Sequence, residues 1–157
     1  MKKILLLAVC VFAIAFSFAQ NGAAHIKFMS VEVNGQVSTV EQRLTTKGFS
    51  KTKDDMYKGK FSGFDVKLKL LKTVKSKTVY GIVVNFGPDA TREDLVELAN
   101  SLNEKYGKEN AFERTEDNVV GIELPEGSIM LDLEQHTLSY LDKANIQKNK
   151  KESKEDL

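Results

Sequence analysis

The chain has few of the residues from which many catalytic and metal sites are built. Among its 157 residues are one cysteine, Cys10, and two histidines, His25 and His136. Cys10 lies in an apolar segment that we expect to be removed, which excludes a disulfide, a thiol nucleophile and a thiolate metal site from the mature chain. The two histidines have no metal-ligand spacing. We therefore expect no cofactor and no metal, and we interpret both histidines as ordinary surface residues.

The chain also lacks a strong excess of charge of either sign. It contains 23 Lys+Arg and 22 Asp+Glu, a formal net charge of +1. Without Lys2 and Lys3, 21 basic residues stand against 22 acidic ones, a net charge of −1. Nucleic-acid binding requires a basic field, and electrostatic membrane binding requires a basic cluster. We expect neither a nucleic-acid partner nor a stable membrane anchor, and the sequence leaves the oligomeric state open.

The long apolar run at the N-terminus is typical of an export signal. Two lysines precede apolar residues 4–16, and Ser17 and Ala19 then place small residues at the two positions that a signal peptidase reads. The run is shorter than the roughly twenty residues that span a membrane. We predict a cleaved signal peptide over 1–19. Lipoprotein processing at Cys10 is the alternative, but Val9 is bulkier than the residue usual at that position.

The remaining chain fits one domain. No linker rich in Pro, Gly or Ser divides it, and its length suffices for a packed core. We predict a single α+β domain over 20–144. The segment 145–157 is crowded with Lys and Glu, which predicts a charged tail that is disordered or the frayed end of a helix.

Hydrophobic periodicity predicts two helices and a mostly antiparallel sheet of about six or seven strands. Helical spacing indicates a helix over 38–47, with a Ser38–Glu41 capping box, and a second from Thr91, with an Asp94 capping partner, to a stop at Gly107. Both helices should pack on one face of the sheet. Alternating patterns predict the strands. The candidate strands are 26–33, 57–61, 64–70, 78–86, 112–115, 119–124, 128–134 and 137–141.

The order of these elements resembles known families. Each half has a helix ending near a glycine, followed by strands, so a duplicated αβββ unit is one interpretation and coincidence of a simple α+β plan is the other. With the segment Phe18-Ala19-Gln20 and the Lys105-Tyr106-Gly107-Lys108 helix end, the chain resembles small, uncharacterised exported proteins of Gram-negative bacteria. Its topology is similar to beta-lactamase-inhibitor-like proteins and small outer-membrane-assembly lipoproteins. That resemblance implies a periplasmic or secreted protein that binds other proteins.

Adjacent carboxylates do not form a catalytic set in this sequence. Neighbouring side chains on a strand point to opposite faces, and on a helix they diverge by about 100°. We interpret these pairs as capping and turn residues. They are Asp54–Asp55, Glu93–Asp94 and Glu116–Asp117.

Lysines are concentrated in the strand region of the first half, whereas the second half is rich in acidic residues. We predict a binding face for an acidic protein partner, and the alternative is that the lysines protect sheet edges from aggregation. The candidate residues are Lys58, Lys60, Lys67, Lys69 and Lys75.

The sequence therefore favours an exported, non-catalytic binding or inhibitor module acting through protein-protein contact, with an unknown partner. An envelope-assembly or scaffold accessory protein is the alternative. An unrecognised hydrolase is the third hypothesis, and a pocket with two convergent carboxylates, or with His136 beside one, would favour it.

Overall fold

The computed structural model describes residues 24–107, 113–115 and 118–154, with the backbone alone at 113–115. The predicted signal peptide, its cleavage site and Cys10 lie outside the described residues. So do Phe112, at the start of a predicted strand, and the Glu116–Asp117 pair. No helix in the described ranges is long and apolar enough to cross a membrane.

The fold is α+β, as the periodicity predicts, with a large antiparallel sheet. Within the described residues, this sheet has eight strands. The strands are β3 (Ser50–Lys51), β4 (Tyr57–Phe61), β5 (Phe64–Lys72), β6 (Val79–Phe86), β7 (Glu113–Thr115), β8 (Val119–Leu124), β9 (Gly127–Asp132) and β10 (Thr137–Asp142). Their order across the sheet is β3-β4-β5-β6-β10-β9-β8-β7. The number of strands exceeds the predicted six or seven because the two-residue strand β3 is added at one edge of the sheet.

The segment 26–33 forms a hairpin, although its alternating pattern predicts a single strand. It forms β1 (Lys27–Phe28) and β2 (Val31–Glu32), which pair in a two-stranded sheet. The two turn residues, Met29 and Ser30, have φ of 49° and 69°. Such a turn normally uses Asn-Gly, so the sequence carried no signal for it. We call this hairpin the β1–β2 ribbon.

Two helices pack on one face of the large sheet, as predicted. They are α1 (Val37–Thr46) and α2 (Arg92–Tyr106). Val40 and Leu44 of α1 belong to the same buried cluster as Leu95 and Leu102 of α2. Alternate residues of the strands complete this core, so one face of the sheet is buried.

The N-terminal ends of the two helices differ from each other. Thr91 and Asp94 form the predicted capping box, in which Thr91 Oγ1 accepts a hydrogen bond from Asp94 N at 3.2 Å and the Asp94 carboxylate accepts one from Thr91 N at 2.8 Å. The Asp94 carboxylate also accepts a hydrogen bond from Thr91 Oγ1 at 2.7 Å, and this bond, together with that from Thr91 N, holds the pKa of Asp94 below its usual range. The predicted Ser38–Glu41 box is wrong, because the helix begins after Gln36, which makes no side-chain cap.

Glu41 instead joins α1 to the neighbouring strands. Its Oε1 accepts hydrogen bonds from Lys51 Nζ at 2.8 Å and from the Tyr57 hydroxyl. These bonds lower the pKa of Glu41, with the Lys51 bond contributing most. Burial, together with the bond to the Glu41 carboxylate, raises the pKa of Tyr57 to about 12.

The prediction of two helices is also wrong, because most of the predicted tail is a third helix. Helix α3 (Lys143–Lys154) follows β10 directly. Its side chains contact the turn between β5 and β6, and its Asn145 Nδ2 donates a hydrogen bond to Asn34 Oδ1 at 2.9 Å. The sequence predicted only disorder or the frayed end of a helix there, because Ile146 is the only large apolar residue of the helix and leaves no apolar stripe to detect. The αβββ duplication is not confirmed either.

Candidate functional site

The sheet has a second face, opposite the one covered by α1, α2 and the β1–β2 ribbon. Along β5 the residues alternate, with Val66 and Leu68 buried and Lys67 and Lys69 exposed. The strand pairings continue this alternation across the sheet. We call the surface that carries Lys67 and Lys69 the open face.

Two lysines of the open face lie directly opposite each other. Lys58 of β4 is the pairing partner of Lys67 of β5. None of the ion pairs among the described residues involves either side chain. The pKa of Asp54 is lowered mainly by its hydrogen bond from Thr52, and the charge of Lys67 contributes only a small part. Like charges directly opposite each other destabilise a sheet. The pair therefore opposes folding stability.

Edge protection does not account for this pair. Lys58 is paired with Ser50 on its other side, and Lys67 is paired with Asn85. Both residues thus have a neighbouring strand on each side, whereas lysines that block aggregation lie on unpaired edges. Protection of the sheet edges, the alternative interpretation from the sequence, therefore does not explain these two lysines.

The other predicted lysines have different surroundings. Lys60 lies beyond the last β3 pairing, opposite Asp65, with its Nζ 3.7 Å from Asp65 Oδ1, so edge protection remains an explanation for it. Lys69 is opposite Val83 on the open face. Lys75 lies apart, in the turn between β5 and β6, where its backbone N–H donates a hydrogen bond to Glu152 Oε2 at 2.8 Å. The structure therefore brings four of the five predicted lysines onto one sheet face.

The centre of the open face is largely apolar, with Ser139 between Val83 and Met130. A Cβ added to Gly81 would meet Leu141 Cδ2 at 2.9 Å and Leu71 Cδ1 at 3.0 Å, so these two side chains converge above this glycine. Val83 is half-buried and Met130 is 40% exposed. An apolar centre with a charged rim is the usual organisation of a protein-protein interface.

A groove of about 840 Å³ lies beside the lysine pair. It reaches from the loop after α1 to the end of β6, and its lining includes both charged and apolar side chains. The charged and polar residues among them are Lys47, Ser50, Lys58, Lys60, Asp65, Lys67 and Asn85.

The opposite side of the sheet carries a second cleft, which sequence reasoning did not find. A space of about 700 Å³ lies between the β1–β2 ribbon and α2, and His25, Glu32, Glu126 and Tyr140 are among its lining residues. His25 is not an ordinary surface residue, because its side chain is only 18% exposed and its Nδ1 lies 2.8 Å from Asp142 Oδ2. The sequence held no signal for this pair, since 117 positions separate the two residues.

The His25–Asp142 pair has a structural explanation. The Asp142 side chain is fully buried, and its second oxygen, Oδ1, accepts a hydrogen bond from Asn145 N at 2.9 Å in the first turn of α3. His25 therefore partners a buried carboxylate that holds the start of α3. In the described part of the chain, His25 has no recorded hydrogen bond to a serine or other nucleophile. His136, by contrast, lies in a turn with φ of 51°.

The carboxylate pairs that the structure describes serve turns, caps and ion pairs. Asp54 accepts a hydrogen bond from Thr52 Oγ1, and Asp55 lies 2.8 Å from Lys51 Nζ. Asp94 belongs to the capping box already described. Over the described ranges, no group of three or more metal-ligating side chains is found.

Comparisons of the chain with protein-family models, with curated proteins and with solved structures found no match. The geometry of the open face is therefore the basis from which function is inferred.

Proposed function

We propose that the chain is an exported, non-catalytic module that binds another protein, and that the open face binds an acidic surface of that partner. The observation that carries this proposal is the position of Lys58 opposite Lys67, with a neighbouring strand on each side. The pair weakens the sheet and protects no edge. Residues that oppose stability in this way are often retained for function.

The dimensions of the open face suit such a role. Eight strands about 4.8 Å apart give a width of roughly 34 Å. That width can hold a standard interface, which buries about 800 Å² on each partner. Its apolar centre, with Leu71, Leu141 and Met130, would supply the desolvated contact area, and the lysines would select an acidic partner and accelerate association.

Export remains part of the proposal and rests on the predicted signal peptide over 1–19. The order of elements predicted from the sequence resembles beta-lactamase-inhibitor-like proteins, and on that basis inhibition of an enzyme is the leading form of the proposed binding. An envelope-assembly accessory is the alternative form. The two differ in the partner, which would be a soluble enzyme in the first case and a membrane component in the second.

Affinity capture from the native envelope and culture fluid tests the binding face. The variant Lys58→Glu/Lys67→Glu/Lys69→Glu should lose a partner that the unaltered protein captures, and capture should weaken as salt rises, because the attraction is electrostatic. The matched control is Lys105→Glu/Lys143→Glu/Lys150→Glu, which makes the same change in charge on exposed lysines of α2 and α3.

The control variant should capture the partner as well as the unaltered protein does. Equal capture by the open-face variant would refute the proposed binding face. The fraction in which the partner is found, soluble or membrane-bound, then separates the inhibitor from the assembly accessory.

A further inference from the structure

In the turn between β5 and β6, three hydrogen-bond donors converge on the carboxylate of Glu152. Glu152 Oε2 accepts hydrogen bonds from the backbone N–H groups of Lys75 at 2.8 Å and Ser76 at 3.1 Å, and Glu152 Oε1 accepts one from Ser76 Oγ at 2.6 Å. These bonds, of which that from the Ser76 hydroxyl contributes most, lower the pKa of Glu152 to about 2. Successive backbone N–H groups in a turn form a concave site that favours anions.

Buried hydroxyl groups support this turn from beneath. Ser76 Oγ lies 2.8 Å from Thr73 Oγ1 and 3.0 Å from Thr78 Oγ1. Thr73 is fully buried, and Thr78 is 6% exposed. The backbone N–H of Thr78 also donates a hydrogen bond to Thr73 Oγ1 at 3.0 Å. The donors that face Glu152 are thus supported by hydrogen bonds within the turn itself, in addition to those from α3.

The helix that supplies Glu152 is held by polar contacts. Lys148 Nζ donates a hydrogen bond to Thr78 Oγ1 at 2.9 Å, and Asn149 Oδ1 accepts one from Val74 N at 3.2 Å. The net contribution of each such bond to stability is small, because folding replaces a hydrogen bond to water by one within the protein. A 12-residue helix without an apolar stripe is marginal by itself. Helix α3 therefore has the features of an element that opens locally before the sheet unfolds.

We propose that the β5–β6 turn is a carboxylate-binding site, which Glu152 occupies within the molecule and which an acidic side chain of a protein partner occupies when α3 opens. The chemistry of the donors selects the ligand class, because two N–H groups and one hydroxyl match the two oxygens of a single carboxylate, as Glu152 demonstrates. This site goes beyond the proposed function, since it uses none of the open-face lysines. Glu152 then acts as a built-in competitor that reduces the affinity of the turn for other carboxylates.

Amide NMR spectra of the ¹⁵N-labelled protein, titrated with a hexaglutamate peptide, test the proposal. In Glu152→Ala and Glu152→Gln variants, the peptide should shift the amide resonances of Lys75 and Ser76 at a concentration about tenfold or more below that needed in the unaltered protein. The matched control is Glu97→Ala, which removes an exposed carboxylate from α2 and should behave as the unaltered protein does. Adding Ser76→Ala to Glu152→Ala should weaken the response again.

Several outcomes would overturn the inference. The first is that the peptide leaves the amide resonances of Lys75 and Ser76 unchanged in both Glu152 variants, while the other resonances show that these variants are folded. Equal responses in the unaltered protein and the Glu152 variants would mean that Glu152 does not compete. Dimerisation of the variants without any peptide response would identify a second copy as the occupant instead. Shifts of the Lys58 and Lys67 amide resonances report on the open face separately. Failure of the proposed open-face binding would therefore not affect the test of the β5–β6 turn.

Discussion

Replacing Lys58 with glutamate should stabilise the protein while it weakens partner binding. Lys58 and Lys67 are directly opposite in neighbouring strands and both are exposed. The substitution turns a like-charge pair into an opposite-charge pair. A cross-strand pair of opposite charges stabilises the sheet by about 0.2–1 kcal/mol, and a pair of like charges destabilises it by a similar amount. Because exposed pairs fall at the low end of that range, we expect a net gain of about 0.5–1 kcal/mol in the free energy of unfolding.

Urea and thermal unfolding measure this gain. For a domain of this size it corresponds to a rise in Tm of about 1–4 °C. The rise should shrink as salt is added, because exposed charges are screened. Lys58→Gln, which removes the repulsion without adding an attraction, should lie between the two proteins in stability.

Lys60 provides a matched control on the same strand. Its partner across the strands is Asp65, so Lys60→Glu creates a like-charge pair and should lower stability where Lys58→Glu raises it. A loss of stability in Lys58→Glu would refute the inferred repulsion. A stabilised Lys58→Glu variant that still binds the partner fully would refute the role of the lysine pair in binding.

Four further changes test other parts of the structure. His25→Ala should reduce the free energy of unfolding by about 1–3 kcal/mol in urea, because the buried Asp142 loses a hydrogen-bond donor. Thr91→Ala should cost about 0.5–2 kcal/mol by the same measurement through loss of the α2 cap. Gly59→Ala should also destabilise the fold, by about 1–3 kcal/mol, because its Cβ would lie 2.5 Å from a ring carbon of the buried Phe49. The pKa of Glu152 is about 2, below the ordinary 4.5, so its contribution to stability should be complete above pH 4.5 and lost as the pH falls through about 2. A ¹³C NMR titration of its carboxyl group, with a midpoint near 4.5, would contradict that assignment.

Sequence patterns predicted the parts of the fold in which burial imposes a period. The α2 capping box is a local signal, because Thr91 and Asp94 are three positions apart and bond to each other. The alternation in β5 is also a local signal. It places Lys67 and Lys69 on one face, because successive residues of a strand point in opposite directions. These features depend on a few neighbouring residues and on the need to bury one face.

Other features depend on contacts that no local pattern encodes. The hairpin at Met29 and Ser30 uses left-handed backbone without the glycine or asparagine that usually marks it. Helix α3 has no apolar stripe, so its formation depends on partners such as the β5–β6 turn. His25 and Asp142 are 117 positions apart, and only the packing of the first described residues against the end of β10 brings them together.

The sequence by itself determined that the described chain folds as α+β with an antiparallel sheet, and that several lysines of one region share a strand face. Tertiary structure alone decided which strands are neighbours and in which register, and so placed Lys58 opposite Lys67 and Glu152 in the β5–β6 turn. The physical reason is that the side-chain period is a property of one strand or helix, whereas register and docking are set by the packing of the whole core. Both proposed binding sites depend on that second kind of information.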